Sequence, residues 1–174
     1  MTSRTSRATV HNVRAVNDPT RRLHLVDVEN LIGHPRPTLT QAANCCDLYE
    51  ERAAVRSGDL IVVACNHGAA LAVGLGWKGA RLLLRSGQDG ADRALLEVIA
   101  HETVEDRFAS VVVASGDGCF AEPVASLGAI GLDVTIVSRP PALSRRLELA
   151  ARRVVVFDAE PVPAQPAEVA LKAA

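Results

Sequence analysis

Residues 110–138 read SVVVASGDGCFAEPVASLGAIGLDVTIVS. Two short apolar runs rich in β-branched residues, 110–114 and 132–137, enclose a helical stretch at about 119–129, which is the pattern of buried strands joined by a helix. A helix that connects two neighbouring strands returns the chain to the same end of the sheet, so the strands run parallel. This segment therefore predicts a parallel α/β sheet.

The same alternation extends along the chain in both directions. Further apolar runs, each bounded by polar or turn residues, occur at 23–28, 60–64, 81–84 and 153–157. Helices are predicted between them at about 39–56, 67–75, 90–106 and 142–151. Strand–helix alternation of this regularity predicts a three-layer α/β/α sandwich with a central, mainly parallel sheet, of the Rossmannoid class.

The composition agrees with such a fold. Apolar residues make up 48% of the 174 residues and aromatic residues only 3%, so the core must consist of Val, Leu, Ile and Ala. The same scarcity of rings disfavours binding of nucleic acid by stacking on bases. The four cysteines show neither C-x-x-C nor zinc-ligand spacing, which predicts a reducing, cytoplasmic location. No apolar run approaches the roughly 18 residues needed to span a bilayer, so no membrane partner is expected.

Three regions are predicted from the local composition. Residues 1–21 are polar and arginine-rich and are expected to form a flexible basic arm. Residues 22–158 carry the alternating pattern and are expected to form one domain. Residues 159–174, rich in Pro and Ala, are expected to form a tail. Leu- and Ala-rich helix faces fit either a buried core or the interface of a homodimer.

The charge is unevenly distributed. Residues 1–22 hold five arginines and one aspartate, residues 139–153 hold five arginines and one glutamate, and each segment is therefore +4. Residues 23–138 hold 8 basic and 15 acidic residues, a net −7. An acidic centre between two arginine clusters fits a cation site whose rim contacts phosphates. A solvated surface with a basic arm is the alternative.

Acidic residues stand where predicted strands end and helices begin. Asp27 ends the first strand, Asp117 follows the fourth strand in S-G-D, and Asp92 lies at the start of the third predicted helix. Ligands of open α/β sheets bind outside the carboxyl ends of the strands, so these three carboxylates are expected to converge. Carboxylates at such short distances repel each other unless a cation lies among them. A set of oxygen ligands selects Mg²⁺ or Mn²⁺. The alternative is that each acid caps a helix or a turn, as Asp89 is expected to do.

Four segments resemble the NYN domain of the PIN-like nuclease superfamily. They are LHLVDVENLIG (23–33), GQDGADRALLEVI (87–99), VVVASGDGCFAEPVASLGAIGLDVTIVS (111–138) and PALSRRLELAARRVVVFD (141–158). The resemblance covers roughly residues 22–158, with its motifs in the family's order. It implies a metal-dependent ribonuclease that hydrolyses RNA, single-stranded RNA in particular, with Mg²⁺ or Mn²⁺.

Carried over by position, the resemblance implies that Asp27, Asp92 and Asp117 bind the metal and that Asn30 is their polar partner in D-x-x-N, orienting a ligand or water. The sequence departs from the family's S-G-D-x-D-F motif at Cys119, where the second acid of that motif would stand. This departure argues against a tight two-metal site, with Glu29 or Asp89 as possible substitutes. Cys119 itself is expected to be a small buried residue at the start of a helix.

Arginines near these acids are the expected contacts to the RNA backbone. Arg85 and Arg93 flank the acidic residues, and Arg139 follows the fifth strand at the same edge; Arg145 and Arg146 fit either RNA binding or an exposed helix face.

Two weaker signals have simple structural interpretations. Asn66 and His67, after the second strand, fit either phosphate contact or helix capping, and His24 fits a packed or a surface position. Residues 74–79 match G-x-G-x-x-G, but they end a helix instead of following a strand, so helix termination is favoured over dinucleotide binding.

Two other functions stay open beside the ribonuclease. The departure at Cys119 motivates a non-catalytic RNA-binding or protein-interaction module with a degenerate site. A Rossmann-like protein that binds a nucleotide or another small molecule is the third, although no glycine-rich loop follows the first strand.

Overall fold

The computed structural model describes residues 20–158. Almost all of the predicted basic arm and the whole of the predicted tail lie outside the described residues. Arg21, the last residue assigned to the arm, contacts the domain: its Nε donates to the carbonyl of Gly58 at 2.9 Å, and its guanidinium lies 5.4 Å from the centre of the Phe108 ring. None of the helices in the described range combines the length and the apolar character that crossing a membrane requires.

Six parallel strands form one sheet in the order β3-β2-β1-β4-β5-β6. The strands are β1 (Arg22–Asp27), β2 (Leu60–Cys65), β3 (Arg81–Leu84), β4 (Ser110–Ala114), β5 (Asp133–Ser138) and β6 (Arg153–Val156). Each lies on one of the six predicted apolar runs. The prediction of a mainly parallel sheet is confirmed, and within residues 20–158 the sheet is parallel throughout.

Seven α-helices are assigned among the described residues. They are α1 (Val28–Ile32), α2 (Leu39–Arg52), α3 (Ala70–Gly76), α4 (Gly90–His101), α5 (Val104–Arg107), α6 (Ala121–Ala129) and α7 (Arg145–Ala150), with single 3-10 turns at Gly118–Phe120 and Pro140–Ala142. The helix predicted at 90–106 is divided in two, because Thr103 takes a left-handed backbone conformation, with φ of 43°. Helix α1 was not predicted, since five residues are too few to show a helical period.

The helices cover both faces of the sheet, which confirms the three-layer α/β/α sandwich. On one face, α4, α6 and α7 bury Leu95, Val124 and Leu147 against the strands. On the other face, α2 and α3 bury residues that include Tyr49 and Val73. Neighbouring residues of β1 divide between the two layers, as the two-residue period of a strand requires.

A buried polar network ties β1 to the start of β2. His24 is fully buried; its Nδ1 lies 2.8 Å from the Tyr49 hydroxyl and its Nε2 lies 3.2 Å from Asp59 Oδ2. Asp59 also accepts from the Arg22 guanidinium at 2.7 Å. Burial, with the Arg22 charge, lowers the pKa of His24 to about 4. Of the two positions predicted for His24, the packed one is therefore observed.

The strand order places a crevice between β1 and β4. The connection that leaves β1 crosses one face of the sheet through α2, whereas the connection that leaves β4 crosses the other face through α6. Where neighbouring strands send their connections to opposite faces, their carboxyl ends border an opening in which ligands bind. Asp27 and the Ser115-Gly116-Asp117 turn lie at these two strand ends.

Candidate metal centre

Asp27 lies between β1 and α1 and is almost fully buried, with 6% of its surface exposed. Its Oδ1 accepts a hydrogen bond from the backbone N–H of Asn30 at 3.0 Å, so it caps α1. Burial raises the pKa of Asp27 well above its usual range, and the neighbouring charge of Asp92 acts in the same direction. Asp27 is therefore both a helix cap and a carboxyl group held against a second acid.

Asp92 lies in the first turn of α4 and is 8% exposed. Its Oδ1 has no hydrogen-bond donor anywhere in the described part of the chain. Burial, followed by the charge of Asp117, raises the pKa of Asp92, while a side-chain hydrogen bond with Asp27 acts in the opposite direction. Asp89 occupies the N-cap position of α4 as expected, but its side chain makes no capping hydrogen bond.

The start of α4 is brought close to the sheet by Gly90. A Cβ at this position would overlap the backbone carbonyl of Arg85, which follows β3. The absence of a side chain therefore lets the helix begin directly beside the strand ends and deliver Asp92 to them.

Asp117 is exposed at the start of the 3-10 turn that follows β4. Its Oδ1 accepts from the backbone N–H of Cys119 at 2.8 Å, and its own N–H donates to Ser115 Oγ at 3.2 Å. The alternative of a turn-capping acid is thus correct for Asp117 as a local description. It does not exclude metal binding, because capping uses only one of the two carboxylate oxygens.

Asn30 holds the S-G-D turn in place. Its Oδ1 accepts from the N–H of Gly116 at 3.0 Å across 86 positions of sequence, and its carbonyl accepts from Arg139 Nε at 2.9 Å. Gly116 is packed so tightly that a Cβ there would overlap the carbonyl of Ala142. The Oδ1 of Asn30 is therefore bonded to the loop that carries Asp117, and the role implied for Asn30 by the sequence resemblance, orienting a ligand or water, stays a prediction.

Three ligand atoms meet beside this loop. A carboxylate oxygen of Asp92, one of Asp117 and the Sγ of Cys119 all lie within 4.8 Å of one another, and this group could hold a metal ion. Asp27 is adjacent through its interaction with Asp92. The three predicted acids therefore lie close together, but Asp27 is not one of the residues whose ligand atoms form this group, and Cys119 joins Asp92 and Asp117 instead.

The prediction that Cys119 is a small buried residue is wrong: it is exposed. Residues 118–120 form a 3-10 turn, so the next residue, Phe120, takes the fully buried position and Cys119 faces the acids. Partial shielding of its sulfur from solvent, together with the charges of Asp92 and Asp117, raises the pKa of the Cys119 thiol well above its usual range. Sequence reasoning missed Cys119 as a member of the group that could hold a metal ion, although its alignment with an acidic position was the available signal.

Glu29, considered as a substitute for the missing acid, is engaged elsewhere. Its Oε1 accepts from both the backbone N–H and the side-chain Nδ2 of Asn66, at 2.5 and 2.7 Å. Asn66 Oδ1 in turn accepts from the N–H of Ala69 at 3.1 Å, within the turn that precedes α3, whose own N-cap residue is Ala69. His67 is exposed and its Nδ1 lies 2.8 Å from Ser86 Oγ.

The three arginines predicted to bind RNA differ in their surroundings. Arg93 is exposed next to Asp92, and within residues 20–158 its side chain forms neither an ion pair nor a hydrogen bond. Arg85 pairs with Glu97 at the surface, at 2.5 Å. Arg139 is half-buried and packs over Gly33, where a Cβ would lie 2.6 Å from its guanidinium nitrogens.

Comparison with known proteins supports the fold. No family model matches this sequence, and no match is found among curated proteins. Among solved structures, the chain is similar to a protein of unknown function from Vibrio parahaemolyticus, with a TM-score of 0.53 and 18% identity over 80% of this chain and 93% of that chain. At this identity the similarity shows the three-layer α/β/α architecture alone.

Proposed function

We propose that this chain is a metal-dependent ribonuclease of the NYN, PIN-like type, which hydrolyses RNA phosphodiester bonds with a divalent ion, Mg²⁺ or Mn²⁺, at the Asp92–Asp117 site. The main support is the buried Asp92 side chain. It faces two further carboxyl groups at the crevice between β1 and β4, and its Oδ1 has no donor among the described residues.

A purely structural role explains Asp92 poorly. Asp27 and Asp117 each cap a helical turn, but Asp92 makes no capping bond. Leaving a buried acceptor without a donor costs about 1–3 kcal/mol, and groups of this kind call for a ligand, an ion or water as partner. A divalent cation would satisfy this oxygen and neutralise the repulsion among the carboxylates.

The proposed chemistry divides between the ion and the chain. A bound divalent ion supplies activation of a water molecule and neutralisation of charge on the scissile phosphate. Asp92 and Asp117 hold the ion, Asp27 positions Asp92, and Asn30 fixes the turn that carries Asp117.

RNA would be bound through its phosphates, because the chain offers few rings for stacking. Arg93 is the best candidate, since it is exposed beside the site. Arg85 can exchange its surface pair with Glu97 for a phosphate, because exposed pairs of this kind contribute little stability. Arg139 is placed to support Asn30, and a further contact of its guanidinium with RNA stays a prediction.

The test is cleavage of a single-stranded RNA by the wild type, by Asp92→Asn and by Asp117→Asn, each with Mn²⁺, Mg²⁺ or EDTA. We expect EDTA to abolish cleavage and both substitutions to lower it by about a hundredfold or more, since even residues outside the ligand sphere alter metal sites by 10–100-fold. Asp47→Asn, an exposed acid on α2, is the matched control and should cleave normally. A wild type that is inert with both ions, or equal cleavage by wild type and Asp117→Asn, would contradict the proposal.

One observation favours a second function, a non-catalytic module that binds RNA. Cys119 stands where the resemblance implies an acid, so the carboxylate set is smaller than the family's. RNA binding that is unchanged by EDTA, measured by fluorescence anisotropy and accompanied by no cleavage with either ion, would support this function instead.

A further inference from the structure

Cys119 completes the group of ligand atoms at this site. Its Sγ and the carboxylate oxygens of Asp92 and Asp117 lie within 4.8 Å of one another. The backbone N–H of Cys119 donates to Asp117 Oδ1 at 2.8 Å, which orients the Asp117 carboxylate on the same turn that carries Cys119. The other cysteines of the chain, Cys45, Cys46 and Cys65, are buried.

Asp92 supplies an independent indication that an ion binds here. More than nine tenths of its surface is buried, and its Oδ1 lacks a donor among the described residues. Asp92 belongs to a different element, α4, from the turn that carries the other two candidate ligands. Two elements distant in sequence therefore direct two oxygens and one sulfur towards one point.

We propose that Cys119 is a metal ligand and that the site consequently selects a transition ion over Mg²⁺, with Zn²⁺ and Co²⁺ bound more tightly than Mn²⁺. This inference rests on the proposed function, which places a divalent ion at the site. Thiolate sulfur is a soft ligand that Zn²⁺ and its neighbours accept and Mg²⁺ does not, and affinity among divalent ions rises from Mn²⁺ towards Zn²⁺. The thiol releases its proton to solvent as the metal–sulfur bond forms.

The number of ligands also fits a reactive ion. Catalytic zinc sites typically use three protein ligands and leave the fourth position for water or substrate. Asp92, Asp117 and Cys119 supply three. Cys119, which replaces the acid implied by the sequence resemblance, thus alters which ion the site prefers and still leaves one coordination position free.

The test uses the reduced, metal-free full chain and Co²⁺ as a spectroscopic probe. Thiolate ligation gives a sulfur-to-cobalt charge-transfer band in the near ultraviolet, which oxygen ligands do not. We expect the wild type to show this band and Cys119→Ser to lose it. Cys46→Ser, which alters a buried cysteine of α2, is the control and should retain it.

Calorimetric titration with Cd²⁺ and Mg²⁺ completes the experiment. We expect Cys119→Ser to lower Cd²⁺ affinity at least about tenfold with Mg²⁺ affinity unchanged, and Cys119→Asp to raise Mg²⁺ affinity, following ligand softness. Because Cys119 is exposed, circular dichroism should show both variants folded. If Co²⁺ binds the wild type without the band, or if the Cd²⁺ to Mg²⁺ ratio is the same in Cys119→Ser, the sulfur assignment fails while the metal-dependent function stands. If none of these ions binds, both proposals fail.

Discussion

Replacing Asp92 by asparagine should stabilise the metal-free protein while abolishing its response to metal. The substitution keeps the size of the side chain and removes a buried negative charge that faces Asp27 and Asp117. The new amide NH₂ can also donate to either neighbouring carboxylate. Residues kept for binding a ligand commonly reduce the stability of the empty site, so the two effects should have opposite signs.

The size of the effect follows from the unsatisfied oxygen. A buried acceptor that lacks a donor costs about 1–3 kcal/mol, so the free energy of unfolding of Asp92→Asn should rise by about that amount in EDTA. For a domain of this length each kcal/mol corresponds to a change in Tm of about 3–4 °C, so the Tm should rise by about 3–12 °C. Added Mn²⁺ at 100 times its Kd should stabilise the wild type by about 2.7 kcal/mol and leave the variant unchanged.

The assay is thermal unfolding of the wild type and of Asp92→Asn, each in EDTA and in MnCl₂. Asp47→Asn removes an exposed acid of α2 that does not belong to the candidate metal-binding group, and we expect it to behave as the wild type under both conditions. A variant that is less stable than the wild type in EDTA would show that Asp92 has a structural role. A variant that keeps the full Mn²⁺ response would show that Asp92 does not bind the ion.

Three further predictions concern the framework and the proposed contact of Arg93 with RNA. His24 stays neutral in the fold and protonates when the chain unfolds, because burial lowers its pKa to about 4. The wild type should therefore lose up to about 3 kcal/mol of stability relative to His24→Gln as the pH falls from about 6.5 to 4. Urea titrations at several pH values measure this, and a difference in stability between the two proteins that does not change with pH would refute it. Gly116→Ala should lower the free energy of unfolding by more than about 2 kcal/mol, because the new Cβ would overlap the Ala142 carbonyl. Gly128→Ala is the control: it lies at an open helical position and should raise the free energy of unfolding by about 0.5–1 kcal/mol. Equal effects of the two substitutions in denaturant titrations would contradict the packing around Gly116. Arg93→Gln should weaken RNA binding and leave Tm unchanged, because Arg93 is exposed. In fluorescence anisotropy titrations, the slope of log affinity against log salt concentration should fall by about 1. An unaltered slope would exclude a contact between Arg93 and a phosphate.

Local sequence was sufficient to locate most of the elements. The six strands are short apolar runs between turn residues, and each was predicted at nearly its observed position because a buried parallel strand needs apolar residues on both faces. Helix α1 and the break at Thr103 were missed, because both depend on single turns whose conformation no periodic pattern records.

The neighbourhood of the acids could also be predicted. Parallel strands end at the same edge of a sheet, so Asp27 and Asp117 had to lie near each other once β1 and β4 were neighbours. The order of the strands was not available from the periodicity, and it is this order that places β1 beside β4 and opens the crevice between them.

The sequence by itself therefore determined the class of fold and the edge of the sheet at which its acids gather, since both follow from apolar periodicity and chain direction. Tertiary structure alone decided how each polar side chain is used there. Asn30 bonds to Gly116 across 86 positions and Arg139 to Asn30 across 109, while Glu29 is drawn to Asn66. The tertiary structure also leaves Cys119 exposed beside the acids, because Phe120 occupies the buried position in the core. Such choices depend on long-range hydrogen bonds and packing, which local patterns do not encode.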